Sequence, residues 1–210
     1  MRLETEGRRI RALRSGGLIQ AHSDKEEKAM TPTESLKHEH LIILMVLGAA
    51  EQEVRLSRDS GKVDAERISR MLDFFREFAD ACHHAKEEKH LFAMMHQRGV
   101  PEDTGPIAVM LREHDEGRRR LRAIAEALPQ AADGVSPAVE AVQENLAAYI
   151  EMLQNHIDKE DNILYPYADQ LLTAEDQQAL SESFEKIEAE EIGEGVHEKY
   201  HQLAHALASH

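Results

Sequence analysis

The sequence CHHAKEEKHLF, residues 82–92, returns later in the chain as NHIDKEDNILY, residues 155–165. Each copy holds a His-x-x-x-Glu pair followed by Leu and an aromatic residue. Residues four apart share one face of an α-helix, so the imidazole and the carboxylate can reach one metal ion or two neighbouring ones. The two stretches therefore predict two helices, each of which directs one histidine and one glutamate toward a common interior.

A second, shorter motif repeats with nearly the same spacing. LKHEH at residues 36–40 is similar to MLREH at residues 110–114. His40 and His114 are 74 residues apart, and the two copies of the longer motif are 73 residues apart. Each short copy precedes one long copy. An αα-hairpin used twice in this way predicts an antiparallel four-helix bundle with a pseudo-twofold axis.

The register of the longer motif has two readings, because His84 and Glu88 have the same spacing as His83 and Glu87. The repeat favours His83 and Glu87. The alignment that matches them with the second copy places His84 opposite Ile157, which cannot bind a metal. The apolar pattern agrees, because on an α-helix His84 shares its arc with charged residues.

Helix start and stop signals predict an all-α fold. Breakers are scarce, with 11 Gly and 6 Pro in 210 residues. Capping residues and prolines mark the helix starts, and Pro129 marks a predicted stop. The predicted long helices are 32–58, 64–96, 106–128 and 137–172, and two shorter C-terminal helices begin at about 173 and 196.

The same signals predict three parts of the chain. Residues 1–30 form an N-terminal arm without apolar periodicity, which we expect to be loosely packed and dispensable, or an extension upstream of a chain that begins at Met30. Residues 31–172 form the bundle. Residues 173–210 form a helical extension, which we expect to cover the bundle or mediate a homodimer.

Composition excludes several classes of function. The formal charge is −15, which argues against nucleic acid or an anionic membrane surface as partner. No apolar run reaches the length of a membrane span. The single cysteine, Cys82, excludes an internal disulfide and CxxC chemistry and favours a cytoplasmic protein.

The paired motifs resemble the hemerythrin/HHE cation-binding family over about residues 33–170. The family pattern has Glu-His on the first and third helices and His-x-x-x-Glu before a Leu-aromatic pair on the second and fourth. The resemblance implies a non-haem centre of two iron ions, bridged by carboxylates and an oxo group, with an open position for a small ligand. The ligands it implies are His40, His83, Glu87, His114, His156 and Glu160.

The sequence departs from the oxygen-carrying members at one position. Those proteins have a second histidine four residues after the third-helix histidine, where this chain has Arg118. The resulting set of four histidines and two glutamates resembles the branch that contains iron–sulfur-centre repair and stress-related proteins. One protein ligand fewer leaves a more open metal, which favours reactivity over simple reversible binding.

Residues around the implied ligands have open roles. His90, Arg118 and Tyr149 share the ligand face of their helices and are candidates for an outer shell. Glu39 and Glu113 precede ligands and therefore point about 100° away. We expect these two on solvated faces, the alternative being contacts to the centre.

Three functions fit the sequence. The first is a di-iron protein that binds and reacts with O₂, hydrogen peroxide or NO, as an enzyme or sensor in oxidative or nitrosative stress. The second is a module for reversible O₂ binding or iron buffering without turnover. The third is a structural zinc-binding bundle. A histidine stripe on the last helix, His197, His201 and His205, is expected to cover the bundle rather than bind a metal.

Overall fold

The computed structural model describes residues 30–192 and 195–209. Six helices and no strand occur in this part of the chain, which confirms the all-α prediction. The helices are α1 (Pro32–Ser60), α2 (65–97), α3 (Gly105–Ala132), α4 (136–171), α5 (174–192) and α6 (Val196–Ala208). The first four form the bundle, joined by short connections that make neighbouring helices antiparallel.

The helix starts follow the capping residues of the sequence. The Thr31 side chain accepts a hydrogen bond from the backbone N–H of Glu34, whose carboxylate accepts one from the Thr31 N–H. Thr173 and Asp176 form the same reciprocal pair at the start of α5, whereas the Asp64 side chain at the start of α2 only accepts a hydrogen bond from Arg67 N–H.

The prediction that Pro129 ends the third helix is wrong. Helix α3 continues through Pro129 to Ala132. The proline lies in the last turn, where its missing N–H removes a single helical hydrogen bond and little helix follows to be displaced.

The two helices with the long motif contain wide turns with i→i+5 hydrogen bonds. In α2 these π turns are Phe75–His84 and Glu87–Leu91, and in α4 the π turn is Glu160–Leu164. Such turns occur frequently at functional sites, and they change the direction of successive side chains relative to an α-helix. All three turns contain or adjoin residues of the repeated motif.

Two apolar clusters fill the bundle. One includes Val46, Phe75 and Leu146, and the other includes Leu36, Phe92 and Met110. On each of the four helices the buried histidines lie between residues of these two clusters, so the polar site is enclosed by apolar layers on both sides.

The C-terminal helices pack on the bundle. Tyr200 and Leu207 of α6 are buried in the first apolar cluster, and Phe184 of α5 in the second. Residues 1–29, predicted to form a loose arm, lie outside the described residues. Within the described ranges, no helix is both long and apolar enough to cross a membrane.

Candidate metal centre

All six predicted ligands meet in the middle of the bundle. Helices α1 and α3 each contribute one histidine, and α2 and α4 each contribute a histidine and a glutamate. Every one of these side chains is at most 1% exposed. They are His40, His83, Glu87, His114, His156 and Glu160.

The four histidines form two pairs. The Nε2 atoms of His40 and His83 lie 3.0 Å apart, and those of His114 and His156 are also 3.0 Å apart. Each pair combines one histidine of the short motif with one of the long motif, as the pseudo-twofold repeat requires.

The two glutamates lie between the pairs. Glu160 places Oε2 3.3 Å from His40 Nε2 and Oε1 3.0 Å from His156 Nε2. Glu87 places Oε2 3.4 Å from His114 Nε2 and 3.8 Å from His83 Nε2. Each carboxylate therefore faces both histidine pairs, the arrangement needed to bridge two metal ions.

Carboxylates also hold the opposite side of each imidazole. His83 Nδ1 lies 2.8 Å from Glu39 and His156 Nδ1 lies 2.9 Å from Glu113. The expectation that these two glutamates face solvent is wrong: each reaches the histidine of the following helix. The other two Nδ1 contacts are His40 to Asp161 at 2.9 Å and His114 to Glu88 at 2.6 Å.

A lysine anchors each of the two orienting glutamates. Lys86 donates to Glu39 at 2.5 Å, and Lys159 donates to Glu113 at the equivalent place in the repeat. Lys86 also donates to Glu188 of α5. The duplication thus extends beyond the implied ligands to the groups that orient them.

The donor set fits metal cations. Each Nδ1 lies against a carboxylate that accepts its proton, so the two Nε2 atoms of a pair face each other 3.0 Å apart and need a proton or a cation between them. Metal–nitrogen bonds of about 2.1 Å at a right angle separate two nitrogens by about 3.0 Å. Moreover, Glu87 Oε2 and both oxygens of Glu160 are buried without a hydrogen-bond partner.

The buried charges perturb one another strongly. Burial, and then the charge of Glu160, hold the pKa of Glu87 well above its usual range. Burial, the largest single influence, would raise the pKa of Glu160 too, but the neighbouring His156 and, after it, His40 together outweigh burial and hold that pKa well below the usual range. Burial lowers the pKa of His83 to about 4. Without a metal, these buried groups hold their protons unequally, and a bound cation would take the place of those protons.

Two buried aromatic rings of the second apolar cluster pack against the centre. Tyr165 stacks on His40 with ring centroids 5.5 Å apart, and Phe92, its equivalent in the repeat, stacks on His114 at 6.0 Å. Only the tyrosine has a hydroxyl, which donates to Glu87 Oε1 at 2.7 Å. This explains why Glu87 has one satisfied oxygen whereas Glu160 has none.

Two of the three predicted outer-shell residues line a cavity beside His114 and His156. Arg118 and Tyr149 form part of its wall, together with Gly117. The cavity measures about 10 Å³ as the space open to the centre of a water-sized molecule, enough for one very small molecule. A Cβ on Gly117 would lie 3.2 Å from Met152 Cε, so the missing side chain helps to keep the cavity open.

The other predicted outer residues lie elsewhere. The ring of His90 faces Phe184 of α5 at 6.5 Å rather than the centre. On the last helix, the half-buried ring of His201 packs near His38 and Phe78, and His205 is exposed. Neither belongs to the clusters of possible metal ligands found among the described residues.

His84 was rejected in favour of His83 on the sequence alone, yet it lies beside the centre. Its side chain is buried, although the α-helical arc placed it with charged residues. A ring nitrogen of His84 lies within 4.8 Å of ligand atoms of Glu87, His114 and His156. The signal that could have found it is the His-His doublet itself, because a π turn can bury both members whereas a regular α-helix separates them by 100°.

Fold and site together define a four-helix bundle with a buried centre of imidazoles and carboxylates, made to hold cations. Residues 31–168 match the sequence profile of the Hemerythrin HHE cation binding domain. Since the match covers well over half of the chain, this protein belongs to that family.

Individual relatives are more distant. An uncharacterised protein of Mycobacterium tuberculosis is 25% identical over 170 residues, 81% of this chain and 66% of its own length. The iron-sulfur cluster repair protein YtfE of Escherichia coli is 31% identical over 138 residues, 63% of this chain and 60% of that protein. YtfE of Cronobacter sakazakii is 37% identical over 92 residues, 41% and 40% of the two chains. The chain thus spans about two thirds or less of these relatives, and no solved structure matches it.

Proposed function

We propose that this chain is a non-haem di-iron protein that binds and reacts with a small oxidant, O₂, hydrogen peroxide or NO, in the response to oxidative or nitrosative stress. The observation that carries the proposal is the geometry of the two histidine pairs. Each brings two Nε2 atoms to 3.0 Å, and both glutamates lie between the pairs. Two cations, each held by one histidine pair and both carboxylates, would satisfy the four imidazoles and the two carboxylates.

Iron is favoured as the metal by the donor set and by the relatives. Imidazole and carboxylate without thiolate suit iron, manganese or zinc. The relatives named for iron-sulfur cluster repair support iron among these three. When bound, a pair of irons supplies electrons and an open coordination position for a small molecule.

The chain's own residues prepare the centre for this chemistry. Glu39, Glu88, Glu113 and Asp161 hold the Nδ1 protons, so each Nε2 stays available to a metal. The two apolar clusters enclose the centre on both sides, and the small cavity beside His114 and His156 has room for a ligand with about two non-hydrogen atoms. We place this activity in the cytoplasm because the chain has a single cysteine and no disulfide.

One purification tests the proposal. The full chain, expressed with iron and purified in air, is analysed for metal content and for its visible spectrum, and the loaded protein is then mixed with hydrogen peroxide or NO. We expect two irons per chain, a charge-transfer band, and consumption of at least one oxidant. Glu160→Ala should lose iron, whereas the exposed Glu144→Ala on the same helix should retain it.

Other outcomes favour the alternatives. Two irons without consumption of any oxidant would indicate reversible binding or iron buffering. A colourless protein that retains zinc after exposure to iron would contradict the di-iron proposal and support a structural zinc bundle.

A further inference from the structure

His84 differs from the four paired histidines. It is buried next to the centre. Its Nδ1 lies 3.3 Å from Asp80 Oδ1, so, like the other four, it has a carboxylate on the Nδ1 side of its ring. However, the structure pairs its other ring nitrogen with no second imidazole, unlike the four Nε2 atoms of the metal centre.

The orientation of the ring prevents His84 from sharing a metal with His114. The two rings stack with centroids 3.8 Å apart and an angle of 14° between their planes. Nitrogen lone pairs lie in the ring plane, so nearly parallel rings cannot direct both lone pairs at one ion. His84 is therefore a group beside the proposed metal position rather than a fifth histidine ligand.

His84 lines the cavity, and its partner Asp80 is fixed there. Arg118 donates from Nε to Asp80 at 2.8 Å and from a terminal nitrogen to Glu88 at 2.8 Å. Because Asp80 is held in place and accepts the Nδ1 proton, the Nε2 of His84 is left as a hydrogen-bond acceptor.

The repeat shows that the scaffold does not require this polar cluster. At the equivalent positions on the other side of the pseudo-twofold axis the chain is apolar, and the described residues there form no matching cluster of an imidazole, a carboxylate and a guanidinium. The replacements are Ile157 for His84, Leu153 for Asp80 and Leu44 for Arg118.

We propose that His84 selects hydrogen peroxide over small ligands that carry no proton, by accepting a hydrogen bond from the peroxide O–H in the cavity beside His114 and His156. The inference rests on the proposed function, because it requires a metal at that position. O₂ and NO fit the same space but have no proton to donate, so His84 offers them no comparable contact. A buried acceptor of this kind discriminates strongly between ligands with and without a donor.

The test compares His84→Phe with the wild type. Phenylalanine keeps a ring to stack on His114 and removes both nitrogens. We expect unchanged iron content, an unchanged visible spectrum and an NO affinity of the reduced protein within about twofold of wild type. The rate at which hydrogen peroxide oxidises the reduced centre should fall about tenfold, as expected for one lost hydrogen bond.

Two further variants sharpen the result. His84→Gln, which retains an acceptor, should recover part of the peroxide rate. His90→Phe, on the same helix but facing Phe184, should match the wild type in all measurements.

The failures of the two proposals are distinguishable. Loss of iron in His84→Phe would make His84 a metal ligand and overturn the inference, as would an unchanged peroxide rate or an equal loss of NO affinity. If the wild type itself holds no iron, the proposed function fails as well.

Discussion

The two halves of the centre share one scaffold but differ in how tightly they are closed. Around His40 and His83, the orienting Glu39 is 2% exposed, and Lys86 is fully buried beneath Glu188 of α5. Around His114 and His156, the side chain of Glu113 is 24% exposed and that of Lys159 is 33% exposed. The cavity also lies on this second side.

The residues that are proposed to hold a metal are repeated in both halves, whereas the residues that line the cavity differ between the halves. The repeated positions are the histidines, the glutamates and the lysines that anchor them. The positions that differ are those facing the ligand, and the surroundings supplied by α5 after the repeat ends. A duplicated bundle can therefore keep two equivalent histidine pairs while it closes the surroundings of one pair and opens those of the other.

The largest effect should come from removing one histidine on either side. Because both glutamates face both histidine pairs, His40→Ala and His156→Ala should each weaken metal binding at both positions, by more than the roughly tenfold expected for losing an orienting partner. Metal content and a metal titration measure this. Retention of one full equivalent by either variant would mean that the two positions bind independently, and exposed His205→Ala serves as the control.

Next in size is the difference between the two lysines. Lys86→Met removes the lysine partner of the buried Glu39, which keeps only its contact with His83 among those described above, and should lower the free energy of unfolding by about 3–5 kcal/mol. Lys159→Met removes a lysine that remains partly in solvent and should cost at most about 1 kcal/mol. Urea denaturation of the metal-free proteins gives both values. Equal costs would show that the closure by Glu188 has no energetic consequence.

A smaller effect is expected from exchanging the two stacked rings. Tyr165→Phe removes the donor to Glu87 and should destabilise the protein by about 1–3 kcal/mol, because a buried carboxylate oxygen loses its partner. Phe92→Tyr offers the missing hydroxyl to the Glu160 side. Thermal unfolding of the two variants and of their combination tests this. The comparison fails if Tyr165→Phe is as stable as the wild type.

The smallest effect should follow a change far from both halves. Replacing His197, His201 and His205 together by Gln should leave metal content and the visible spectrum unchanged, because the described members of this stripe lie outside the centre. A loss of one metal equivalent in this triple variant would reveal a further site on the last helix.

The sequence alone was sufficient to predict the bundle and to bring six residues to one place, because the repeat preserves both the helical spacing and the order of the helices. The π turns were not visible in it. They bury His84 next to His83, while its contact with Asp80, four residues earlier, is kept.

Contacts between helices also could not be predicted from the periodicity of a single helix. Glu39 and Glu113 do point away from the histidines that follow them, as expected for adjacent residues. They nevertheless reach His83 and His156, because those histidines approach from neighbouring helices. Helix periodicity gives the direction of a side chain but not what meets it there.

Gly117 lies in the wall of the cavity beside His114 and His156, where a side chain would reduce the available space. A single methyl group there would stand 3.2 Å from Met152 Cε and 3.4 Å from Tyr149 Cε2, within the wall of the cavity. Met152 ends in a flexible chain that can give way, so Gly117→Ala would narrow the cavity without touching an imidazole or a carboxylate of the centre. The volume of the cavity can therefore change during evolution, or be set by design, without altering the six residues proposed to bind metal.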